Sequence, residues 1–257
     1  MTRATSGHGN AHSNGGHYRC WCLQHLYVCV AGDNVILLDL RRDKYFAVTG
    51  RAARALASVV PGWPTTTSSE LEQLPVLSET EVRRIVQFYV DSGVLTASES
   101  EGKPAIPIQY PPPRDLVPLG FDLDTSRSIS CKDIGNVLCG STLAAYSWRT
   151  ASLYAIVRQV AARKARAANR TPFDCQAAAE LACTYRRLQA FLFTGKNRCL
   201  LQSLSFANFL SFYGLFPDWV FGVQTRPFAA HCWLQQDRYL LNETPDGVKL
   251  FTPIFAV

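Results

Sequence analysis

No apolar run in this sequence approaches the roughly 20 residues that a membrane-crossing helix needs, and the first 17 residues hold no apolar core of a signal peptide. The expectation is a cytoplasmic protein without a membrane partner. C-x-x-C pairs are absent, and the nine cysteines are odd in number and irregularly spaced. That argues against a disulfide framework and leaves the thiols reduced. There is no G-x-x-x-x-G-K-[ST] loop, so no nucleotide site is expected, and nothing asks for a cofactor. Lys and Arg number 26 against 20 Asp and Glu, and the basic residues lie in isolated pairs such as Arg41-Arg42 and Arg186-Arg187. No basic stripe exists to carry a nucleic acid, although a net charge of +6 suits an acidic peptide. Histidine is scarce, and His231 is the only one after His25.

The chain divides by pattern. Residues 1–17, rich in Gly, Ser, Asn and His, read as a disordered tail rather than a metal tract. Cys20 and Cys22, near His17 and His25, lack zinc-finger spacing, and no metal is expected there. Residues 18–97 read as a small unit. Strands at 26–31, 35–40 and 45–48 are separated by tight turns and form an antiparallel meander. A helix at about 50–60 follows, and a second at about 80–92 is marked by the Ser78/Glu81 capping box. Such a unit is winged-helix-like and too small for a large core. Its third strand offers an open edge to an extended peptide. Residues 98–118, with Pro104, Pro107 and Pro111 to Pro113, read as a semi-rigid linker holding two domains apart.

Residues 119–257 begin with helices and end with strands, an α+β order. One or two helices occupy 139–168. Thr171-Pro172-Phe173-Asp174 signals the start of another, with Thr as cap. A further helix runs from Cys199 to about Tyr213 and is closed by Gly214. Strands are expected at 218–225, 229–236 and 239–243, with a turn at Thr244 to Gly247.

One order of residues carries chemistry. Cys199 starts a helix, His231 lies in a strand, and Asn242 and Glu243 end the next strand. A thiol at a helix N-terminus faces unpaired N–H groups and the positive end of the dipole, which favour thiolate. An imidazole can hold that thiolate as an ion pair and later protonate a leaving amine. The competing reading is an inert packing cysteine and a core histidine. Cys131, Cys139, Cys175, Cys183 and Cys232 have weaker claims. Cys175 and Cys183 fall in mid-helix, and Cys232 alternates with His231 onto the opposite sheet face. The partner that orients His231 is open among Asn242, Glu243 and Asp246. Period-two alternation lets only one of Asn242 and Glu243 face it from the strand.

The stretches NRCLLQSLSFANFLSFYGL, VFGVQTRPFAAHCWLQ and YLLNETPDG resemble the lasso-peptide leader peptidases, over roughly residues 125–257. The catalytic domain of that family looks like a transglutaminase or papain core. The pattern GV-x-x-x-PF-x-x-H-x-W stands here as Gly222-Val223, Pro227-Phe228, His231 and Trp233. The resemblance implies Cys199 as nucleophile and His231 as its base. The third member, normally Asp, falls on Glu243. LLDLRRDKYFAV, residues 37–48, is similar to the pyrroloquinoline-quinone chaperone (PqqD-like) element that recognises leaders beside these peptidases.

The resemblance further implies a fused maturation protein. The leader of a precursor peptide would dock along Lys44, Tyr45, Phe46 and Val48. Val82, Ile85, Val86 and Tyr89 of the second helix would line its pockets. The freed core would pass to an ATP-dependent macrolactam cyclase. Two rivals stand: a transglutaminase-type acyltransferase on the same scaffold, and a non-catalytic adaptor that delivers the precursor.

Overall fold

The computed structural model describes residues 19–65, 75–114, 128–167, 173–189 and 199–257. The tail at 1–17 and the Thr171-Pro172 signal lie outside them. In the N-terminal half, Leu26–Ala31 (β2), Asn34–Asp39 (β3) and Lys44–Val48 (β4) form an antiparallel sheet in the order β2-β3-β4. Gly32 takes φ 57° in the first turn, a conformation that a side chain would strain. The second turn is fixed by Asp39, whose Oδ1 accepts the N–H groups of Arg41 and Arg42 at 2.9 and 3.0 Å. Helices Gly50–Val59 (α1) and Glu79–Asp91 (α2) cover one face, and the Ser78/Glu81 box caps α2 as expected. Trp21–Leu23 (β1), Leu95–Thr96 (β5) and Gly102–Lys103 (β6) add a small sheet in the order β5-β1-β6. At two or three residues each, these strands are too short to show a period.

The β2-β3-β4 sheet is buried on both faces. Leu26, Val28, Val35, Leu37 and Val48 pack with Leu56 and Val86 beneath the helices. Cys29, Ala31, Ile36, Leu38 and Leu40 face the other way and join the core of the C-terminal half. Burying a side chain such as Ile36 or Leu38 contributes roughly 1.5–3 kcal/mol. The ring of Tyr27 meets that of Phe255 at 4.2 Å between centroids.

The linker therefore does not hold two units apart. Residues 98–114 form a strap. Gly102–Lys103 enters the small sheet, and Ala105 is buried beside α1 and α2. The Tyr110 hydroxyl donates to Asp218 Oδ2 at 2.6 Å, and the N–H of Arg114 donates to the carbonyl of Arg238. Extended proline-rich chain exposes carbonyls and apolar rings, so it can lie along a surface as readily as span a gap.

The C-terminal half supplies helices Cys131–Thr150 (α3), Leu153–Ala167 (α4), Cys175–Gln189 (α5) and Cys199–Ser211 (α6). Strands Asp218–Thr225 (β7), Phe228–Gln236 (β8), Tyr239–Leu240 (β9) and Thr252–Ala256 (β10) pair antiparallel in the order β10-β7-β8-β9. A short helix, Pro245–Val248 (α7), replaces the expected turn. The fold is α+β. Helix α6 is its central element, with Phe206, Phe209 and Leu210 at most 1% exposed. Gly140 lets α3 approach it closely: a Cβ there would stand 3.0 Å from backbone atoms of Ser205 and Phe209.

Two helix starts differ from expectation. Helix α3 begins at Cys131 with a Ser130/Asp133 capping box that the sequence reading passed over. Helix α5 begins at Cys175, where Asp174 Oδ1 accepts the N–H groups of Gln176 and Ala177. Asp174 caps this helix from outside it. No described helix is long and apolar enough to cross a membrane.

Candidate active site

Helix α6 aims its first residue, Cys199, at β8 near His231 and Cys232. Strand β9 pairs only with Gln235 and Gln236, so among the described residues no strand covers the outer edge of β8 at 231–232. Cys199 occupies that open edge. The groups that act on its sulfur are the Cys232 side chain, the His231 ring and the Cys232 backbone.

His231 Nε2 lies 2.9 Å from Glu243 Oε1. With Nε2 held there, Nδ1 is left to face Cys199. The imidazole packs between aromatic rings, 5.2 Å from Phe251 and 6.0 Å from Trp233 between centroids. Gly222, the cross-strand partner of His231, makes room for that tryptophan: a Cβ there would stand 2.7 Å from the Trp233 ring.

Glu243 reaches His231 by a route that strand alternation did not describe. The strand expected at 239–243 ends at Leu240, and residues 241–244 bend away before α7. The bend allows Asn242 and Glu243 to serve different partners. Asn242 Oδ1 accepts the N–H of Leu234 at 2.7 Å, a structural bond. Asp246 is exposed and pairs with Lys249. Gly247 accommodates the longer glutamate, since a Cβ there would stand 3.0 Å from Glu243 Oε2.

The electrostatics follow from these contacts. The Cys232 hydrogen bond is the largest influence on Cys199. Together with the His231 hydrogen bond and charge, it outweighs burial and brings the thiol down to about 4. Burial works against a charged His231, but hydrogen bonds to Cys199 and Glu243 overcome it and raise the ring to about 9. At neutral pH the pair is thiolate and imidazolium, a nucleophile beside a proton donor. Cys232 goes the other way: burial and the neighbouring thiolate raise it well above the usual thiol range.

Cys232 does point to the sheet face opposite His231, into the core with Phe221 and Leu234. It is nevertheless not remote from the site, because Cys199 lies at the strand's edge and touches both. Its neighbours Ser203 and Trp219 were also missed. Ser203 Oγ donates to the Cys199 carbonyl at 2.7 Å and accepts from Trp219 Nε1 at 2.8 Å. The spacing of Cys199 and Ser203, one helical turn, is the signal that could have found the serine. Cys175 is likewise not in mid-helix, since it opens α5.

The eight residues expected to bind a peptide do not share one surface. Strand β4 pairs only with β3, so its outer edge is open among the described residues. Lys44 is exposed on it. Phe46 packs on the α1–α2 side, as do Val82 and Tyr89. Ile85 is half-buried on α2. Val48 and Val86 are 1% and 0% exposed and belong to the core. Tyr45 projects from the opposite face toward the site. Its ring meets Phe228 at 5.8 Å, and its phenol is raised by burial and by the nearby sulfurs of Cys232, Cys199 and Cys29.

Residues 141–256 match the family model of the transglutaminase-like superfamily, a span that contains Cys199, His231 and Glu243. Neither a curated protein nor a solved structure matches the chain. The match suggests cysteine peptidase or acyltransferase activity.

Proposed function

We propose that the chain is the leader peptidase of a lasso-peptide biosynthetic system. It would hydrolyse the bond between leader and core in a precursor peptide and leave the core for an ATP-dependent macrolactam cyclase. The observation that carries this reading is the line Glu243–His231–Cys199 at the N-terminus of α6. The open edge of β4, in the half of the chain that resembles a leader-recognition element, supports it.

The leader adds as a strand along β4, and the scissile carbonyl meets the Cys199 thiolate. A C–S bond forms and the carbonyl electron pair moves to oxygen. The first-turn N–H groups of α6 have no partner within the helix and face that oxyanion. As the C–N bond breaks, His231 gives its proton to the core's amine, leaving a leader thioester. The neutral ring then takes a proton from water while the water oxygen attacks the thioester. Leader acid leaves, and the thiolate–imidazolium pair is restored. Glu243 holds Nε2–H throughout, which fixes the tautomer.

The test is to incubate full-length protein with the precursor, with and without the cyclase, and weigh the products. Two fragments whose masses sum to the precursor plus one water are expected. Leader carrying an added amine would replace this reading by acyl transfer. Binding without any change of mass, with or without the cyclase, would replace it by an adaptor role.

A further inference from the structure

We propose that Ser203 is a positioning residue for the reaction: its buried hydroxyl ties the carbonyl of Cys199 to Trp219 and Cys232, and so holds the nucleophile's helical turn in register with the strand that carries His231. This rests on the reading of Cys199 as the nucleophile.

Ser203 is fully buried in α6 and carries one hydroxyl proton and two lone pairs. The proton is directed at the Cys199 carbonyl 2.7 Å away, with the Leu200 carbonyl at 3.2 Å as the weaker alternative. A serine bonded to the carbonyl one turn back is a common local bond in helices. Here two groups of the sheet meet the same oxygen. Trp219 Nε1–H of β7 donates to it at 2.8 Å, and Cys232 Sγ of β8 lies 3.3 Å from it. One hydroxyl therefore joins the residue that carries the nucleophile to the residue that follows His231. Successive strand side chains point to opposite faces, so anchoring Cys232 inward fixes His231 outward.

The other two buried polar side chains of α6 serve a different neighbour. Ser205 Oγ meets Ser141 Oγ of α3 at 2.7 Å, and Asn208 Nδ2 donates to the Gly140 carbonyl of α3 at 3.2 Å. Among the described residues, Ser203 is the one of the three that is bonded to the strands. Removing its hydroxyl strands the Trp219 N–H, releases the Cys199 carbonyl and unties Cys232, with no change of charge. A hydrogen bond between charged groups depends steeply on alignment, so a first turn of α6 that has lost its register weakens the thiolate–imidazolium pair. Among the described residues, the titratable groups near Cys199 are His231 and Cys232 of β8 and Tyr45 of β4, with Glu243 behind His231. Ser203 is not one of them and acts through placement.

Full-length wild type, Ser203→Ala, Ser203→Gly, Ser203→Thr and Ser205→Ala are alkylated with iodoacetamide across pH, and modification at Cys199 is read by peptide mass. Circular dichroism follows the melting of each. Ser203→Ala and Ser203→Gly both lack the hydroxyl, so either can report if the other fails to fold. Ser205→Ala is the matched control, a fully buried serine of the same helix that also loses a hydrogen bond. Both alanine variants should melt below wild type. The hydroxyl-free Ser203 variants alone should raise the half-point of Cys199 alkylation, by about one pH unit, with roughly tenfold less thiolate on the acid side. Ser203→Thr keeps the hydroxyl and should recover most of that shift. With precursor as substrate, kcat should fall roughly 10-fold to 10²-fold in Ser203→Ala while KM holds, because the serine touches no substrate. Coincident half-points in wild type and the hydroxyl-free variants would overturn the proposal, as would an equal rise in Ser205→Ala or in Ser203→Thr. A wild-type half-point in the ordinary thiol range would instead remove Cys199 as an activated nucleophile. The alkylation uses no precursor. A protein that passes it but leaves every precursor uncut loses the peptidase reading and keeps this one.

Discussion

Cys175 and Cys199 both open a helix, α5 and α6, yet their thiols move in opposite directions. Burial, then the charges of Asp237 and Asp174, push the Cys175 thiol up. Hydrogen bonds from Cys232 and His231 bring Cys199 from 9.0 down to about 4. A helix dipole is worth roughly 0.3–1 kcal/mol, less than one pKa unit. It cannot account for Cys199, and at Cys175 it does not prevail against two carboxylates and burial. The position shared by the two cysteines is permissive, and what faces each sulfur decides its chemistry.

The largest effect expected from that contrast is on activity. Cys199→Ala should abolish cleavage of the precursor, a fall of order 10⁴-fold or more, while Cys175→Ala stays near wild type; product mass over time checks both. If Cys175→Ala were the damaging change, the comparison would invert. Next comes the partner of His231. Glu243→Ala should lower kcat/KM by roughly 10²-fold, the low end for an acid–base contribution, and Glu243→Asp should retain part of the rate. Asn242→Ala should instead lower thermal stability by about 1–2 kcal/mol, because it strands the N–H of Leu234, and should leave the chemistry largely intact.

A smaller, graded effect is expected from pH. The thiolate is lost as pH falls through the Cys199 value of about 4, and the imidazolium is lost as pH rises through the His231 value of about 9. A profile of kcat/KM should therefore be bell-shaped between those limbs, falling about tenfold per pH unit outside them. A profile centred on an ordinary cysteine would remove the ion pair from the argument. The smallest effect is at the other helix. Asp174→Asn keeps an oxygen for the cap but removes a charge, so the Cys175 thiol should fall slightly, read as faster alkylation at that residue.

Much of this was legible in the sequence because it is local. The β2-β3-β4 meander, the Ser78/Glu81 box and the helix beginning at Cys199 each follow from turns, caps and periods within a dozen residues. The Cys199 and His231 pairing was legible through scarcity, since no other histidine follows His25. What escaped depends on irregular backbone or on packing between distant segments. Strand alternation left Asn242 and Glu243 open, and only the family resemblance pointed to Glu243; the strand in fact ends before either residue. Strand β10, with Pro253 inside it, has too little pattern to announce itself. Cys232 was set aside on a correct statement about its sheet face, because sequence cannot say which edge of a strand a helix will abut. The continuous apolar run Val35 to Leu38 of β3 was readable as a strand, but not which distant segments would cover its two faces.

That last feature bears on how the molecule holds together. Val35 and Leu37 lock β3 to the helices α1 and α2, while Ile36 and Leu38 lock it to the core that carries α6. Neighbouring residues of one strand thus belong to two cores, and neither core can lose the strand alone. The boundary visible in composition is not a boundary in energy. Cutting the chain near residue 115 would expose a row of aliphatic side chains on one fragment and strip a wall from the other. The two halves should melt in a single calorimetric transition, as one cooperative folding unit.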